Sequence, residues 1–97
     1  MKGILIEPGK APVVAALPDT LQGIENYLHR PCDMRVMPRP PAVLIYGHYD
    51  GIAFPASLFN RTYRGRQLLG PILVYGWRNN NIQSMSKTLQ ADMLERI

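Results

Sequence analysis

The sequence predicts an α+β fold: a single small domain with a mostly antiparallel sheet of about five strands and two helices packed on one face. Runs of β-prone apolar residues alternate with turn residues, and most links between them are too short for the crossover helix that parallel strands need. Only residues 20–30 and 84–96 carry apolar side chains at helical spacing. The chain has 97 residues, so we expect 1–97 to form one domain.

The first third of the chain predicts a hairpin followed by a helix. Residues 4–6 form a continuous apolar run, which is typical of a buried strand. Pro8-Gly9 suits a tight turn, and residues 12–17 then supply a second strand. Asp19 is the expected N-cap of the helix, which continues to about Arg30 because the proline that follows cannot extend it.

The rest of the chain predicts further strands and the second helix. Asp50-Gly51 is a hairpin-turn dipeptide, whereas residues 56–70 have no apolar period and are expected to be irregular. Ser86 is the expected cap of the last helix. The strand predictions cover residues 33–36, 43–46, 52–54 and 72–75. The side chains on the apolar period of each element should form the core: Leu5, Ile24, Leu28, Leu44, Leu73 and Leu89.

Composition excludes several classes of protein. One cysteine, Cys32, cannot form an internal disulfide, which suits a reducing cytoplasmic compartment. One cysteine and two histidines are also too few for the four ligands of a Cys/His zinc site, so we expect no metal and no cofactor. Neither a signal peptide nor an apolar run of membrane-spanning length is visible. We therefore expect a soluble cytoplasmic protein without membrane contact.

The charge of the chain is unevenly distributed. Its formal net charge is +4, yet residues 51–91 contain no Asp or Glu. The basic residues of that stretch are Arg61, Arg64, Arg66, Arg78 and Lys87. They could form a positive patch that attracts a nucleotide, a nucleic acid or an acidic protein surface. A solubilising surface with ion pairs to carboxylates elsewhere in the fold explains the same pattern.

We find no sequence pattern that predicts an enzyme. His48 and Asp50 lie close together in the chain, but a hairpin tip explains them as well as a catalytic pair does. His29 precedes Cys32 by three residues, but no helix N-terminus is predicted there to activate the thiol. The glycines lack the spacing of a phosphate-binding loop. The catalytic set is therefore expected to be empty.

The segment around residues 59–66 contains the strongest candidates for binding. Three guanidiniums fall within six residues, and an arginine can bind phosphates or carboxylates through two hydrogen bonds while a tyrosine offers a stacking face. Asn60 is expected to be structural, holding the loop through bonds to the backbone. The role of Arg61 is left open between binding and an ion pair within the fold. The candidate binding residues are Arg61, Tyr63, Arg64, Arg66 and Arg78.

Several short motifs resemble one known family. Residues 4–12, Ile-Leu-Ile-Glu-Pro-Gly-Lys-Ala-Pro, are similar to the start of domain-of-unknown-function family 3846. Asn60-Arg61 and residues 70–76 match its Asn-Arg dipeptide and its late strand, although Arg30-Pro31 stands where the family usually has Gly-Gly. Members occur in phages and other mobile elements and have no established activity, so the resemblance implies a context, and a host cytoplasm, rather than a chemistry.

These observations lead to two main functional hypotheses. The first is a small non-enzymatic binding protein of a phage or mobile element, acting in counter-defence by blocking a host factor or capturing a nucleotide signal. The second is a nucleic-acid-binding accessory protein that uses the basic Arg61–Arg78 region. A purely structural or assembly module is a third interpretation, and a homo-oligomer is compatible with each of them.

Overall fold

The computed structural model describes residues 1–39, 41–49 and 55–96. Two helices accompany eight strands in this part of the chain, and a 3-10 turn, Ala56–Leu58, precedes the fifth strand. The elements are β1 (Lys2–Ile6), β2 (Val13–Ala16), α1 (Leu21–Leu28), β3 (Cys32–Met37), β4 (Ala42–Gly47), β5 (Phe59–Tyr63), β6 (Arg66–Leu69), β7 (Ile72–Arg78), β8 (Asn81–Gln83) and α2 (Lys87–Arg96).

The main sheet contains six strands, and every pairing in it is antiparallel. Its order is β2-β1-β7-β4-β3, with β8 paired to the end of β7. The α+β class is thus confirmed, with one more strand than expected. Strands β5 and β6 form a separate two-stranded sheet, so the expectation that residues 56–70 are irregular was wrong. Most β5 and β6 positions are polar, which hides the strand period. The expected turn at Asp50-Gly51 and strand 52–54 lie outside the described residues.

The two helices lie on opposite faces of the main sheet, so the expectation that they share one face was wrong. Ile24 and Leu28 of α1 pack with Val43 and Ile45 of β4. Met93 of α2 belongs to the cluster that contains the alternate β4 residues, such as Leu44. All six residues of β4 are buried. Because successive strand residues point to opposite faces, a central strand that is apolar throughout needs cover on both sides.

Both helices begin at a side-chain cap. The hydroxyl of Thr20, rather than the expected Asp19, accepts from the Gly23 backbone N–H at 3.0 Å. Helix α1 ends at Leu28, two residues earlier than expected, where His29 adopts a left-handed conformation (φ 59°). In α2 the Ser86 hydroxyl accepts from the Leu89 N–H at 3.2 Å, which confirms the expected cap.

The core confirms four of the six residues expected to be buried. Ile24, Leu28, Leu44 and Leu73 are buried. Leu5 and Leu89 are only partly buried, because each lies at the margin of its apolar cluster rather than inside it. The apolar cluster that includes Ile4, Ile6, Leu44, Val74, Met85 and Met93 lies beneath the candidate site.

Candidate ligand-binding pocket

The candidate site is built on the β5–β6 hairpin, which lies against the α2 side of the main sheet. Leu68 is buried in the apolar cluster on that side, and Tyr63 packs against its margin. A two-residue turn, Arg64-Gly65, joins the strands with φ values of 49° and 77°. Two left-handed residues are what a type I′ hairpin turn requires. Arg61 and Arg66 therefore lie on paired strands, and Arg64 lies in a tight turn, rather than in an irregular loop.

Asn60 fastens this hairpin to the main sheet. The pairing of β5 with β6 shifts register between Phe59 and Arg61, so Asn60 lies in a β-bulge. Its side-chain amide donates to the carbonyl oxygens of Ile6 and Gly70, each at 2.8 Å. The expectation that Asn60 is tied into the backbone is therefore correct. Its Oδ1 also accepts from Arg61 Nε at 3.3 Å, which orients that guanidinium.

A cavity of about 270 Å³ opens between the hairpin and the end of α2. We call it the arginine pocket. Apolar side chains and Thr62 line it, together with a tyrosine ring and two guanidiniums. The lining residues are Ile6, Met37, Leu44, Leu68, Thr62, Tyr63, Arg61 and Arg96. The pocket thus combines an apolar surface with two cations, which suits a ligand that has both an apolar part and a negative charge.

Arg96 was not among the residues expected from the sequence. It lies at the end of α2, 27 positions beyond the last residue of the hairpin, Leu69. Its Nε pairs with Asp92 Oδ1 at 3.1 Å, one helical turn earlier, and both side chains are substantially exposed. Exposed pairs of this kind contribute about 0–1 kcal/mol, so an anion can displace the carboxylate at little cost. No signal in the sequence links Arg96 to the hairpin, because only the tertiary fold brings them together.

The other expected binding residues do not line the arginine pocket. Arg64 is exposed at the hairpin turn, with its guanidinium 5.5 Å from the ring centre of Tyr63. Arg66 is also exposed and lines a second, smaller cavity of about 100 Å³. Arg78 is exposed at the last position of β7. The structure therefore joins Arg61 and Tyr63 with Arg96 and leaves Arg64, Arg66 and Arg78 outside the arginine pocket.

The smaller cavity contains a histidine–carboxylate pair that the sequence did not indicate. His48 Nδ1 lies 2.8 Å from Asp33 Oδ2, and both side chains are partly exposed. Asp33 precedes His48 by fifteen residues and reaches it because β3 and β4 are paired. Arg30 stacks over the Tyr49 ring at 3.8 Å beside this pair. Asp50, the neighbour considered from the sequence, lies outside the described residues.

Cys32 is not an activated nucleophile. Partial burial raises the pKa of its thiol, and the carboxylates of Glu25 and Asp33 raise that pKa further. Glu25 Oε2 also accepts from the Cys32 backbone N–H at 3.2 Å. A raised pKa keeps the thiol protonated at neutral pH, whereas the thiolate is the reactive form.

Within residues 1–39, 41–49 and 55–96, no three His, Cys, Asp or Glu side chains are grouped so that they could hold a metal ion. Over the same residues, neither helix has the length and apolar character needed to cross a membrane.

Comparisons with known proteins return no match: no family model, no curated protein and no solved structure is detectably similar to this chain. The resemblance to family 3846 therefore stays an expectation.

Proposed function

We propose that this chain is a non-enzymatic binding protein that holds a small anionic ligand with an aromatic or apolar part, of the nucleotide class, in the arginine pocket. One observation carries the proposal: Arg61, Tyr63 and Arg96 line a single cavity whose other walls are mostly apolar. The alternatives considered from the sequence, blocking of a host factor and nucleic-acid binding, do not require a cavity.

The chemistry of the lining fits the parts of a nucleotide. A guanidinium presents parallel N–H donors that match two phosphate oxygens. The Tyr63 ring and the apolar walls suit a base, which can stack on an aromatic face. A volume of about 270 Å³ is small for a ligand cavity, since typical pockets span ~300–1,000 Å³. The pocket therefore favours a mononucleotide over a larger ligand.

The family resemblance suggests what such binding would serve. If the chain comes from a phage or another mobile element, sequestering a nucleotide signal of the host would be a counter-defence activity. Binding without turnover requires only positioned donors and an apolar surface, and it needs no general base. The candidate residues of the arginine pocket meet that requirement.

Calorimetric titration of the purified chain with mononucleotides and cyclic mononucleotides tests this proposal. Arg96→Gln should weaken binding of the nucleotide at least tenfold, because it removes one of two cations from the pocket. Arg78→Gln is the matched control, since it removes the same charge from an exposed position outside the pocket. Equal weakening by both variants, or no binding of any nucleotide at millimolar concentration, would rule the proposal out.

The hairpin tip favours nucleic-acid binding as the second candidate function. Arg64 lies in the turn, with its guanidinium 5.5 Å from the ring centre of Tyr63, and Arg66 directly follows the turn; both arginines are exposed. If a single-stranded oligonucleotide binds here, its affinity should fall steeply with added salt, because bound phosphates release counterions. The double variant Arg64→Ala, Arg66→Ala should reduce the salt slope and the affinity while Arg96→Gln leaves both unchanged. Absence of oligonucleotide binding at low salt would eliminate this candidate.

A further inference from the structure

The outer edge of β3 is a pairing surface for which none of the described strands supplies a partner. Among the strands of the described residues, β3 is the last of the main sheet and pairs with β4 alone. At six residues it is also one of the longer strands of the sheet. A strand edge of this length presents a row of backbone donors and acceptors to another chain. We infer that two copies of this protein associate through antiparallel pairing of their β3 strands about a two-fold axis.

Alternate residues of β3 direct their backbone N–H and carbonyl groups away from β4, toward the outer edge of the sheet. The carbonyl of Pro31 accepts from the His48 N–H at 2.8 Å, so residue 31 directs its backbone toward β4. Backbone direction alternates along a strand, and residues 32, 34 and 36 therefore direct theirs toward the outer edge. The Cys32 N–H confirms this alternation, because it is taken by the carboxylate of Glu25 rather than by β4. Met34 and Val36 then offer their N–H and carbonyl groups to a second strand.

The side chains beside those groups are apolar and exposed. Met34 is 42% exposed and Val36 is 47% exposed, on the face of the sheet that also contains Cys32 and α1. In the paired dimer, Met34 of one copy would lie against Met34 of the other. Cross-strand contacts of this kind stabilise antiparallel pairs and remove apolar surface from water.

The charges of β3 select one register. Asp33 and Arg35 share the opposite face of the strand, and a two-fold axis perpendicular to the sheet keeps the faces of the two copies aligned. Centring the pairing on Met34 places Asp33 of each copy opposite Arg35 of the other. Shifting the centre by one residue in either direction would place two Asp33 carboxylates, or two Arg35 guanidiniums, directly opposite each other. Like charges in that position are destabilising, whereas opposite charges contribute favourably.

The partners that Asp33 and Arg35 already have are compatible with this pairing. Asp33 binds His48 through Oδ2, and a carboxylate can accept at both of its oxygens. Arg35 donates from Nε to the Tyr46 hydroxyl at 3.4 Å, and a guanidinium has four further N–H donors. The fold thus orients both side chains before a second copy arrives.

The edge at β2 does not offer the same specificity. Strand β2 has four residues, all of them Val or Ala, so no charge pair would set its register against a second copy. Its side chains Val13 and Val14 are exposed, but apolar contacts alone tolerate slippage of one strand along another. Pairing through β3 is therefore the better-defined interface.

Sedimentation velocity of two charge variants tests the interface. Arg35→Asp gives a strand with two negative side chains, and Asp33→Arg gives one with two positive side chains. Each variant alone should sediment as a monomer at concentrations where the wild-type chain is a dimer, because like charges would face each other at both pairs. An equimolar mixture should restore the dimer, because each negative side chain then faces a positive one. A wild-type chain that stays monomeric at a concentration of about 0.5 mM would overturn the inference, as would persistent dimers of both variants.

A crosslinking experiment does not depend on those charges. In a Cys32→Ser background, Met34→Cys should form an intermolecular disulfide on mild oxidation, because hydrogen-bonded antiparallel positions have Cα atoms ~5.5 Å apart. Val36→Cys in the same background is the matched control. In the proposed register its two copies would lie about 14 Å apart along the strand axis, which is beyond disulfide reach. Equal crosslinking of both variants, or none with Met34→Cys, would contradict the register.

Discussion

The side-chain nitrogen of Asn60 lies 2.8 Å from the carbonyl oxygen of Ile6, although the two residues are 54 positions apart in the chain. The same nitrogen reaches the Gly70 carbonyl at 2.8 Å. One amide group thus joins the β5–β6 hairpin to the end of β1 and to Gly70, which lies just before β7. Because Arg61 also bonds to Asn60, the position of one wall of the arginine pocket depends on this amide.

Asn60→Ala should destabilise the fold by about 2–3 kcal/mol, because it removes the donor of two partly buried hydrogen bonds. Chemical denaturation followed by circular dichroism measures this loss. Gln67→Ala, an exposed change in the adjacent strand β6, should stay within about 0.5 kcal/mol of the wild type. Equal stability of Asn60→Ala and the wild type would mean that the hairpin is held by its apolar contacts alone.

Leu73→Ala should cost about 2–5 kcal/mol, since Leu73 is fully buried between α1 and the centre of the main sheet. Thermal unfolding of the variant measures the effect. Leu94→Ala removes the same atoms from an exposed position of α2 and serves as the control. If both variants unfolded at the wild-type temperature, the assignment of β7 as the central strand would be wrong.

The raised pKa of Tyr75 leads us to expect a loss of folding stability at alkaline pH. Burial, with a smaller contribution from Asp19, raises the pKa of its phenol from 10 to about 12, and its hydroxyl donates to the Pro18 carbonyl at 2.6 Å. The unfolded chain therefore releases this proton more readily than the folded one. The stabilisation due to Tyr75 should be fully present below pH 10 and should decline as the pH approaches 12.

Tyr75→Phe isolates that contribution because phenylalanine has no proton to lose. Denaturant unfolding of both chains at pH 8 and at about pH 11 should show the wild-type advantage shrinking at the higher pH. Other groups that titrate in the same interval are common to both chains and cancel in the difference. A constant difference between the two pH values would show that Tyr75 has an ordinary pKa.

The parts of the fold that were predicted correctly are those where local chemistry decides the structure. Residues 43–46 and 72–75 are apolar and β-branched enough to indicate strands without knowledge of their partners. The β5–β6 hairpin was missed because its strands are mostly polar, and its stability depends on Asn60 and Leu68 reaching the main sheet. The face of the sheet on which each helix packs was also not predictable, since the apolar spacing of a helix is the same whichever face it covers.

The candidate site also combines residues that stand out locally in the sequence with one that only the tertiary fold brings there. Arg61 and Tyr63 were candidates from the sequence because charge density and an aromatic residue are visible within a few positions of it. Arg96 was missed because its place in the arginine pocket depends on how α2 crosses the sheet. Arg78 was included on charge alone, and the structure places it at the end of β7 rather than in that pocket.

Two tight hairpin turns within the described residues differ in one informative position. Asn79 and Asn80 connect β7 to β8 with φ values of 53° and 60°, and asparagine tolerates that left-handed conformation. The equivalent first position of the other turn is Arg64, with φ 49°. Arginine has no local compensation for the left-handed region, which costs roughly 1–2 kcal/mol for an ordinary residue.

Arg64→Asn should therefore stabilise the domain by about 0.5–1 kcal/mol. The relief of the left-handed strain exceeds the loss of the contact between Arg64 and the Tyr63 ring, because an exposed cation–π pair contributes only about 0.5–1 kcal/mol. Asn79→Arg makes the reverse exchange in the other turn and should destabilise the domain by a similar amount. Denaturation midpoints of the two variants measure both effects. If Arg64→Asn lowered the midpoint, the contact of Arg64 with the Tyr63 ring would contribute more free energy than the backbone strain costs. Arg64 would then stabilise the hairpin rather than reduce its stability.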